Sequence, residues 1–536
     1  MQIVQHDERF SSADQITADD LPALAQAGYR SIICNRPDHE GGAAQPSAAA
    51  LRAAAAKLGL QFAYLPVAPG PIGAADAQAF AQLLVDLPAP VLAFCRSGTR
   101  SASLYRLARS PAGAAAASAP AVAPAFEWDD ATYDVVVIGG GTAGIAVTAS
   151  LLKRQRNLKI AIVEPNEHHD YQPAWTLVGG GVYDSRKTRR PMASVMPPGV
   201  EWIRAAASRI EPRENVVYVD GGRRVAYRSL IVAPGLRLAW EKIAGLTDTL
   251  GRNGVTSNYR YDLAPYTWEL VQSMRGGTAL FTQPAMPIKC AGAPQKAMYL
   301  ACDHWQRNGV LSNIDVEFDL AGAVLFGVAA FVPPLMEYVK RYDAKLAFSS
   351  NLVAIDGPSR IATFDVKDAD GRVTRVDKRF DMIHVVPPQV APDFIRDSQL
   401  ADDAGWCEVD HATLQHPRHP NVFALGDVAS APNAKTAAAA RKQAVIVAEN
   451  LLAARSGTPL PCRYDGYGAC PLTVERGKVV LAEFGYGGKL LPTFPLEPTR
   501  ARRVMWFLKA SVLPRFYWAG LLKGREWFVG LRQGRP

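Results

Sequence analysis

The residues best suited to chemistry are two cysteines 180 positions apart, Cys290 in MPIKCAGAPQKAMYL and Cys470 in YDGYGACPLTVERGKVVLAEFGY. A thiolate is the nucleophilic form of cysteine, and a nearby cation stabilises it. Lys296 follows Cys290 by six residues, and Lys435 lies in NAKTAAAA, which reads as a helix start. Either lysine suits anionic sulfur, and the sequence does not choose between them. Inert packing is the competing role for any free cysteine; Cys302, Cys407 and Cys462 sit in no reactive pattern and are read that way. A further thiol, Cys95, ends the apolar run APVLAFC and opens a loop that leads into a helix. Loop amides and the helix dipole favour a thiolate or a bound oxyanion there, and Arg96 and Arg100 add positive charge.

The elements that must position these thiols read as α/β throughout. At 536 residues, with 49% hydrophobic and 20% charged residues, the chain suits two to four domains of a folded enzyme. Seven cysteines in so long a chain are not a disulfide framework. Residues 1–109 alternate apolar strands with Ala/Leu-rich helices, and 110–130 is an Ala/Pro-rich linker. A second fold runs over 131–460, with another α/β unit inserted at about 251–375, and 461–536 forms a C-terminal region. The N-terminus lacks the basic and apolar regions of a signal peptide. The uncharged run Leu320–Met336 is interrupted by Pro333 and Pro334 and reads as a buried strand and loop, not a membrane span.

Tyr133 opens a strand, a glycine turn and a helix, YDVVVIGGGTAGIAVTASLLKRQ. Gly139, Gly141 and Gly144, with Thr142 and Ala143 between them, satisfy G-x-G-x-x-G after an apolar strand. Glu164 ends the next strand, placed for a ribose hydroxyl. Two later segments favour FAD over NAD: SLIVAPG, with Pro234 and Gly235, and HPNVFALGDVAS, with Gly426 and Asp427. Both resemble flavoprotein signatures, and in the second the aspartate bonds the ribityl chain. The inserted unit, VEFDLAGAVLFGVAAF, has no clean G-x-G-x-x-G, so a nicotinamide site is not expected there.

Residues 131–536 resemble the sulfide:quinone oxidoreductases of the mitochondrial type. The matching stretches are VEPNEHHDYQPAWTLVGGG, GVTSNY, MPIKCAGAPQKAMYL, HVVPPQVAPDF, LQHPRHPNVFALGD, AKTAAAARKQA and YDGYGACPL. The resemblance implies a redox-active cysteine pair at Cys290 and Cys470, FAD, sulfide as reductant and a membrane quinone as oxidant. It also implies that sulfide attacks the bridged pair, leaving a persulfide on Cys470 and a thiolate at Cys290, with a thiol or sulfite as sulfur acceptor. Thr256 and Val428 stand where some relatives carry further cysteines, which excludes a three-cysteine mechanism at those sites. His168, His169 and Asp170 fit the flavoprotein pattern and not a metal site. A type II NADH:quinone oxidoreductase is the alternative among flavoenzymes.

The N-terminal segment, including NRPD (Asn35–Asp38), resembles the small phosphatase-like domains found with sulfur-oxidation enzymes. Its Cys-x4-Arg ring is shorter than the phosphatase Cys-x5-Arg ring and resembles a rhodanese loop, sized for a persulfide. This implies a sulfurtransferase; a phosphatase, including a signalling protein with a flavin redox module, and an inactive loop remain open. From Arg500 onward nine Lys/Arg face one acid, Glu526, and interleave with Trp506, Phe507, Phe516, Tyr517, Trp518, Trp527 and Phe528. That composition, over 500–535, suits an anionic membrane interface and contributes to the net charge of +9. No nucleic-acid fold accompanies it. The expected location is cytoplasmic, peripheral on the inner membrane face.

Overall fold

A computed structural model describes residues 1–38, 40–42, 45–67, 74–108, 132–527 and 529. The 110–130 linker lies outside the described residues, as do Phe528, Arg532 and Arg535 of the tail. The chain divides into two compact units, Met1–Glu127 and Trp128–Pro536.

The first unit is built on a five-stranded sheet in the order Ile3–Gln5, Phe10–Ala13, Val91–Phe94, Ser31–Cys34, Gln61–Tyr64. Only the Ile3–Gln5 edge pairs antiparallel. The central runs VLAF and SIIC are buried at every position, as parallel strands covered on both faces must be. Cys95 directly follows the central strand Val91–Phe94, and the helix Thr99–Ala108 begins four residues later.

The second unit is built around two large sheets. The first aligns Glu201–Ile203, Ile160–Val163, Tyr133–Ile138, Arg224–Val232 and Val422–Ala424 in parallel, with antiparallel strands Val216–Val219 and Ala207–Glu211 beyond. Its β-branched strands are largely buried, and the helices Thr142–Arg154 and Ala437–Arg455 share its core. The second is fully parallel: Val255–Thr256, Met382–His384, Gly277–Gln283, Ile314–Leu320, Lys345–Phe348. Its strand Met382–His384 carries the inserted unit past residue 375.

Two readings change. Pro333 and Pro334 do not end an element: they occupy the first turn of a helix, Val332–Arg341, where a missing N–H removes no intrahelical bond. No helix among the described residues is long and apolar enough to cross a membrane. The C-terminal region is not an appendage either. Its hairpin, Gly468–Glu475 with Lys478–Phe484, shares a core with the helix Ala293–Arg307. After Arg503–Phe507, one π-helical turn at Leu508–Val512 leads into Leu513–Ala519, whose Tyr517 and Trp518 join the dinucleotide-domain core.

Candidate functional site

The chain brings Cys290 Sγ to 3.5 Å from Cys470 Sγ, and both are free thiols. Cys470 lies on the hairpin strand Gly468–Glu475. Cys290 lies three residues before the helix Ala293–Arg307, in a left-handed conformation (φ 51°) that side chains rarely adopt. Such a position costs on the order of 1 kcal/mol and persists only where its surroundings impose it. Here the Cys290 N–H donates to Lys435 O at 2.9 Å, and Tyr259 Oη donates to Lys289 O at 2.9 Å. Gly292 keeps the two segments close: a Cβ there would stand 2.2 Å from Leu472 Cδ2 and 3.2 Å from Cys470 Sγ.

The two sulfurs differ in acidity. The hydrogen bond from Cys470 holds Cys290 well below the ordinary thiol range against its burial, helped by Lys296. The same bond, together with burial, pushes Cys470 well up. Of the pair, Cys290 is the sulfur whose ionised form the site favours. Lys296 Nζ donates to Cys290 Sγ at 3.1 Å. Burial pulls this lysine down, but the two sulfurs outweigh it, and its net shift is upward.

Lys435 reaches the same region for another purpose. Its Nζ donates to Asp427 O at 2.6 Å and Ala429 O at 3.0 Å and stands 4.2 Å from the Trp406 ring centre. Burial lowers its pKa to about 8. Of the two candidate lysines, the structure places Lys296 on the sulfur. Sequence reasoning missed a third, Lys509. It is 5% exposed and donates to Pro471 O at 3.0 Å, and burial, reinforced by Lys296, drives its pKa well down. The signal was there: a single lysine inside the otherwise apolar run MWFLKASVL. Cys302, Cys407 and Cys462 are buried, and burial raises all three pKa values.

Beside the thiols runs a cleft of about 670 Å³, lined by Gly141, Thr142, Ala143, Pro234, Gly235, Gly426, Asp427 and Lys435 as well as Cys290 and Lys296. The fingerprint glycines divide their work. A Cβ on Gly139 would stand 2.3 Å from Ala233 O, and one on Gly144 would stand 1.8 Å from Gly139 O. One on Gly141 would meet nothing within 4 Å, which leaves that backbone open to the cleft. Glu164 Oε2 accepts from Gly140 N at 2.7 Å and stiffens the turn. Asn258 and Thr176 also line the cleft with buried side-chain polar atoms that lack a protein partner, as expected where a polar ligand completes the bonding. Burial pushes the Asp427 carboxyl up, opposed by Lys435 and Lys289. A dinucleotide with a planar polar head fits these residues. His169 bridges Gly140 O (3.0 Å) and Tyr517 Oη (2.6 Å), and Tyr517 Oη also meets Thr142 Oγ1 at 2.7 Å, so the tail is bonded to the glycine turn.

In the first unit Cys95 is 1% exposed. Arg96 points to solvent. Arg100 donates to Glu40 Oε2 at 3.0 Å and to Asn35 O at 3.3 Å, and Ser101 Oγ donates to Asn35 Oδ1 at 2.8 Å. Neighbouring Cys34 is pushed up to about 12, chiefly by burial.

Residues 3–114 match the phosphatase-like domain of the beta-lactamase hydrolase-like protein, and residues 133–265 match the pyridine nucleotide-disulphide oxidoreductase family. The first segment is 41% identical over 107 residues to the beta-lactamase hydrolase-like protein of Xylella fastidiosa, covering 20% of this chain and 25% of that protein. The sulfide:quinone oxidoreductase structure from Aquifex aeolicus superposes with a TM-score of 0.61 at 18% identity, covering 73% of this chain and 92% of that one, a likeness of fold. The mitochondrial sulfide:quinone oxidoreductase of Dictyostelium discoideum is 40% identical over 397 residues, covering 74% of this chain and 86% of its own length. That extent and identity place the chain in the sulfide:quinone oxidoreductase family, with a phosphatase-like domain at its N-terminus.

Proposed function

We propose that the protein oxidises sulfide to sulfane sulfur and delivers the electrons to a membrane quinone. The observation that carries this reading is the Cys290–Cys470 pair, 3.5 Å apart, with Lys296 on Cys290. In the bridged state, hydrosulfide attacks Cys470 Sγ. The Cys290–Cys470 bond breaks, its electron pair goes to Cys290, and Cys470 carries the outer sulfur as a persulfide. Lys296 stabilises the departing Cys290 thiolate, which favours attack at Cys470. A thiol or sulfite then takes the outer sulfur. Gly139, Gly141, Thr142, Ala143, Gly144 and Glu164 would hold the phosphates and ribose of FAD, and Pro234, Gly235, Gly426 and Asp427 its flavin half. When bound, the flavin would accept two electrons from the thiol pair and pass them to the quinone.

Two finer points belong to the same reading. The tail offers Val504, Phe507 and Trp527, each more than half exposed, beside exposed Arg503, Arg515, Lys523 and Arg525. That mixture suits an anionic membrane surface. Cys95, closed in a short loop at the end of a parallel strand, suits a sulfurtransferase that receives sulfane sulfur made on Cys470. The experiment is anaerobic addition of sulfide, and separately of NADH, to the flavin-loaded protein. Sulfide is expected to bleach the flavin; bleaching by NADH alone would replace this reading with an NADH:quinone oxidoreductase.

A further inference from the structure

Among the described residues lining the cleft, one acid has no part in the reading above. Glu483 lies on the hairpin strand Lys478–Phe484 and is 4% exposed. In the hairpin register Glu483 pairs with Ala469, and its neighbour Ala482 pairs with Cys470. Side chains alternate along a strand, so the carboxyl and the Cys470 sulfur stand on opposite faces of one hairpin. The Cys470 face packs on the helix Ala293–Arg307. Glu483 lines the cleft together with Leu481, Phe494, Leu508, Leu513 and Phe516.

Among the described residues, neutral donors hold this carboxyl. Its Oε1 accepts from Tyr467 Oη at 2.6 Å and from Thr493 Oγ1, and its Oε2 accepts from Thr493 N at 3.0 Å. A buried carboxyl without a paired cation answers to charge that appears beside it by taking up or giving up a proton. Tyr467 stays a donor, since burial and the adjacent Glu483 push its hydroxyl up to about 12. Thr493 is exposed and gives the carboxyl a hydrogen-bonded link toward water. Tyr467 and Thr493 line the cleft as well.

Quinone reduction needs protons as well as electrons. Two electrons alone would make a dianion, and each ring oxygen must gain a proton before a neutral hydroquinone can leave for a membrane. Apolar walls keep bulk water from those oxygens, so a group on the wall has to bring the protons. We propose that Glu483 hands protons to the quinone oxygens, held in place by Tyr467 and resupplied from water through Thr493. Each delivery breaks the carboxyl O–H bond, forms one O–H bond on the reduced quinone and leaves a carboxylate, which is refilled before the second delivery. Quinone, two electrons from the thiol pair and two protons from water thus give one hydroquinone. The proposal rests on the quinone reading of the site.

The test reduces the flavin-loaded protein anaerobically with stoichiometric dithionite, so that no step depends on sulfide. Flavin reoxidation is then followed with a short-chain ubiquinone analogue and, separately, with ferricyanide, which takes electrons without protons. Glu483→Gln, checked by its melting curve, keeps the shape of the side chain but has no acidic proton. It is expected to slow reoxidation by the quinone about 100-fold, the low end of what general acid catalysis contributes, and to leave reoxidation by ferricyanide unchanged. Binding of the same analogue to the oxidised protein, measured by titration calorimetry, is expected to be unchanged too. Glu483→Asp restores a carboxyl and is expected to recover most of the lost rate. Quinone reoxidation of Glu483→Gln at the wild-type rate, an equal slowing with ferricyanide, or a loss of binding as large as the loss of rate would overturn the proton role. A wild-type protein that the quinone does not reoxidise would overturn the quinone reading itself, and the proposal with it.

Discussion

The two thiol centres of this chain use their nearby cations in opposite ways. At Cys290 a cation lies directly on sulfur, and a second thiol from 180 residues away supplies the hydrogen bond that keeps it ionised. At Cys95 the nearest arginines with described partners are already engaged, Arg36 and Arg100 both holding Glu40. Charge near a thiol in sequence is therefore a poor guide to charge on that thiol. At one centre the cation lies on sulfur, whereas at the other the two guanidinium groups lie on a carboxylate.

The largest test of the contrast is removal of the sulfurs. Cys290→Ser or Cys470→Ser should lower sulfide-dependent quinone reduction on the order of 10³-fold or more, as expected when a nucleophile or its redox partner is lost. Cys95→Ser should leave the same assay unchanged. Quinone absorbance reads both, and near-normal turnover in either member of the pair would remove the basis of the comparison.

Next in size is Lys296→Met, expected to cost about 10- to 100-fold at pH 7, because each unit by which the Cys290 pKa rises above the assay pH removes tenfold of the thiolate. Cys290 is depressed in the folded chain. Its charged form therefore stabilises the fold above the ordinary thiol pKa, and that contribution fades as pH falls toward the depressed value. In the variant the contribution should be smaller and be exhausted at a higher pH, and activity should recover as pH rises. A flat deficit across pH would make Lys296 a packing residue only.

Gly292→Ala comes third. Its Cβ must displace Leu472 or Cys470, which should destabilise the chain by about 1–3 kcal/mol, read as a lower melting temperature. It should also let a bulky alkylating reagent reach Cys470. Smallest is the surface pair Val504→Ser with Phe507→Ser. It should weaken binding to anionic liposomes by about tenfold, an order of magnitude set by withdrawing one large apolar side chain's worth of burial. Alkylation of Cys290 should stay unchanged.

What could be read from the sequence was what is encoded locally. The glycine turn, the strand–helix alternation and the separate motifs around Cys290 and Cys470 each need only neighbouring residues. Lys296 and Lys435 were visible as candidates, but choosing between them required the carbonyls of Asp427 and Ala429, which draw Lys435 away. The tail's composition suited a membrane surface but carries no facing, so the inward positions of Lys509, Tyr517 and Trp518 could not be read from it. Whether Tyr517 is buried depends on His169 and Thr142, about 350 residues earlier. The two prolines were legible as helix breakers but not as helix starters, since both roles share one backbone geometry.

The single π turn at Leu508–Val512 has a mechanical consequence. An α-helix advances about 100° per residue, so one extra residue in a turn shifts the phase of everything after it by about that angle. Within it Lys509 points inward toward Pro471 O while Phe507 and Val512, on either side, face out. Deleting one residue there would keep the tail's composition and turn its faces around.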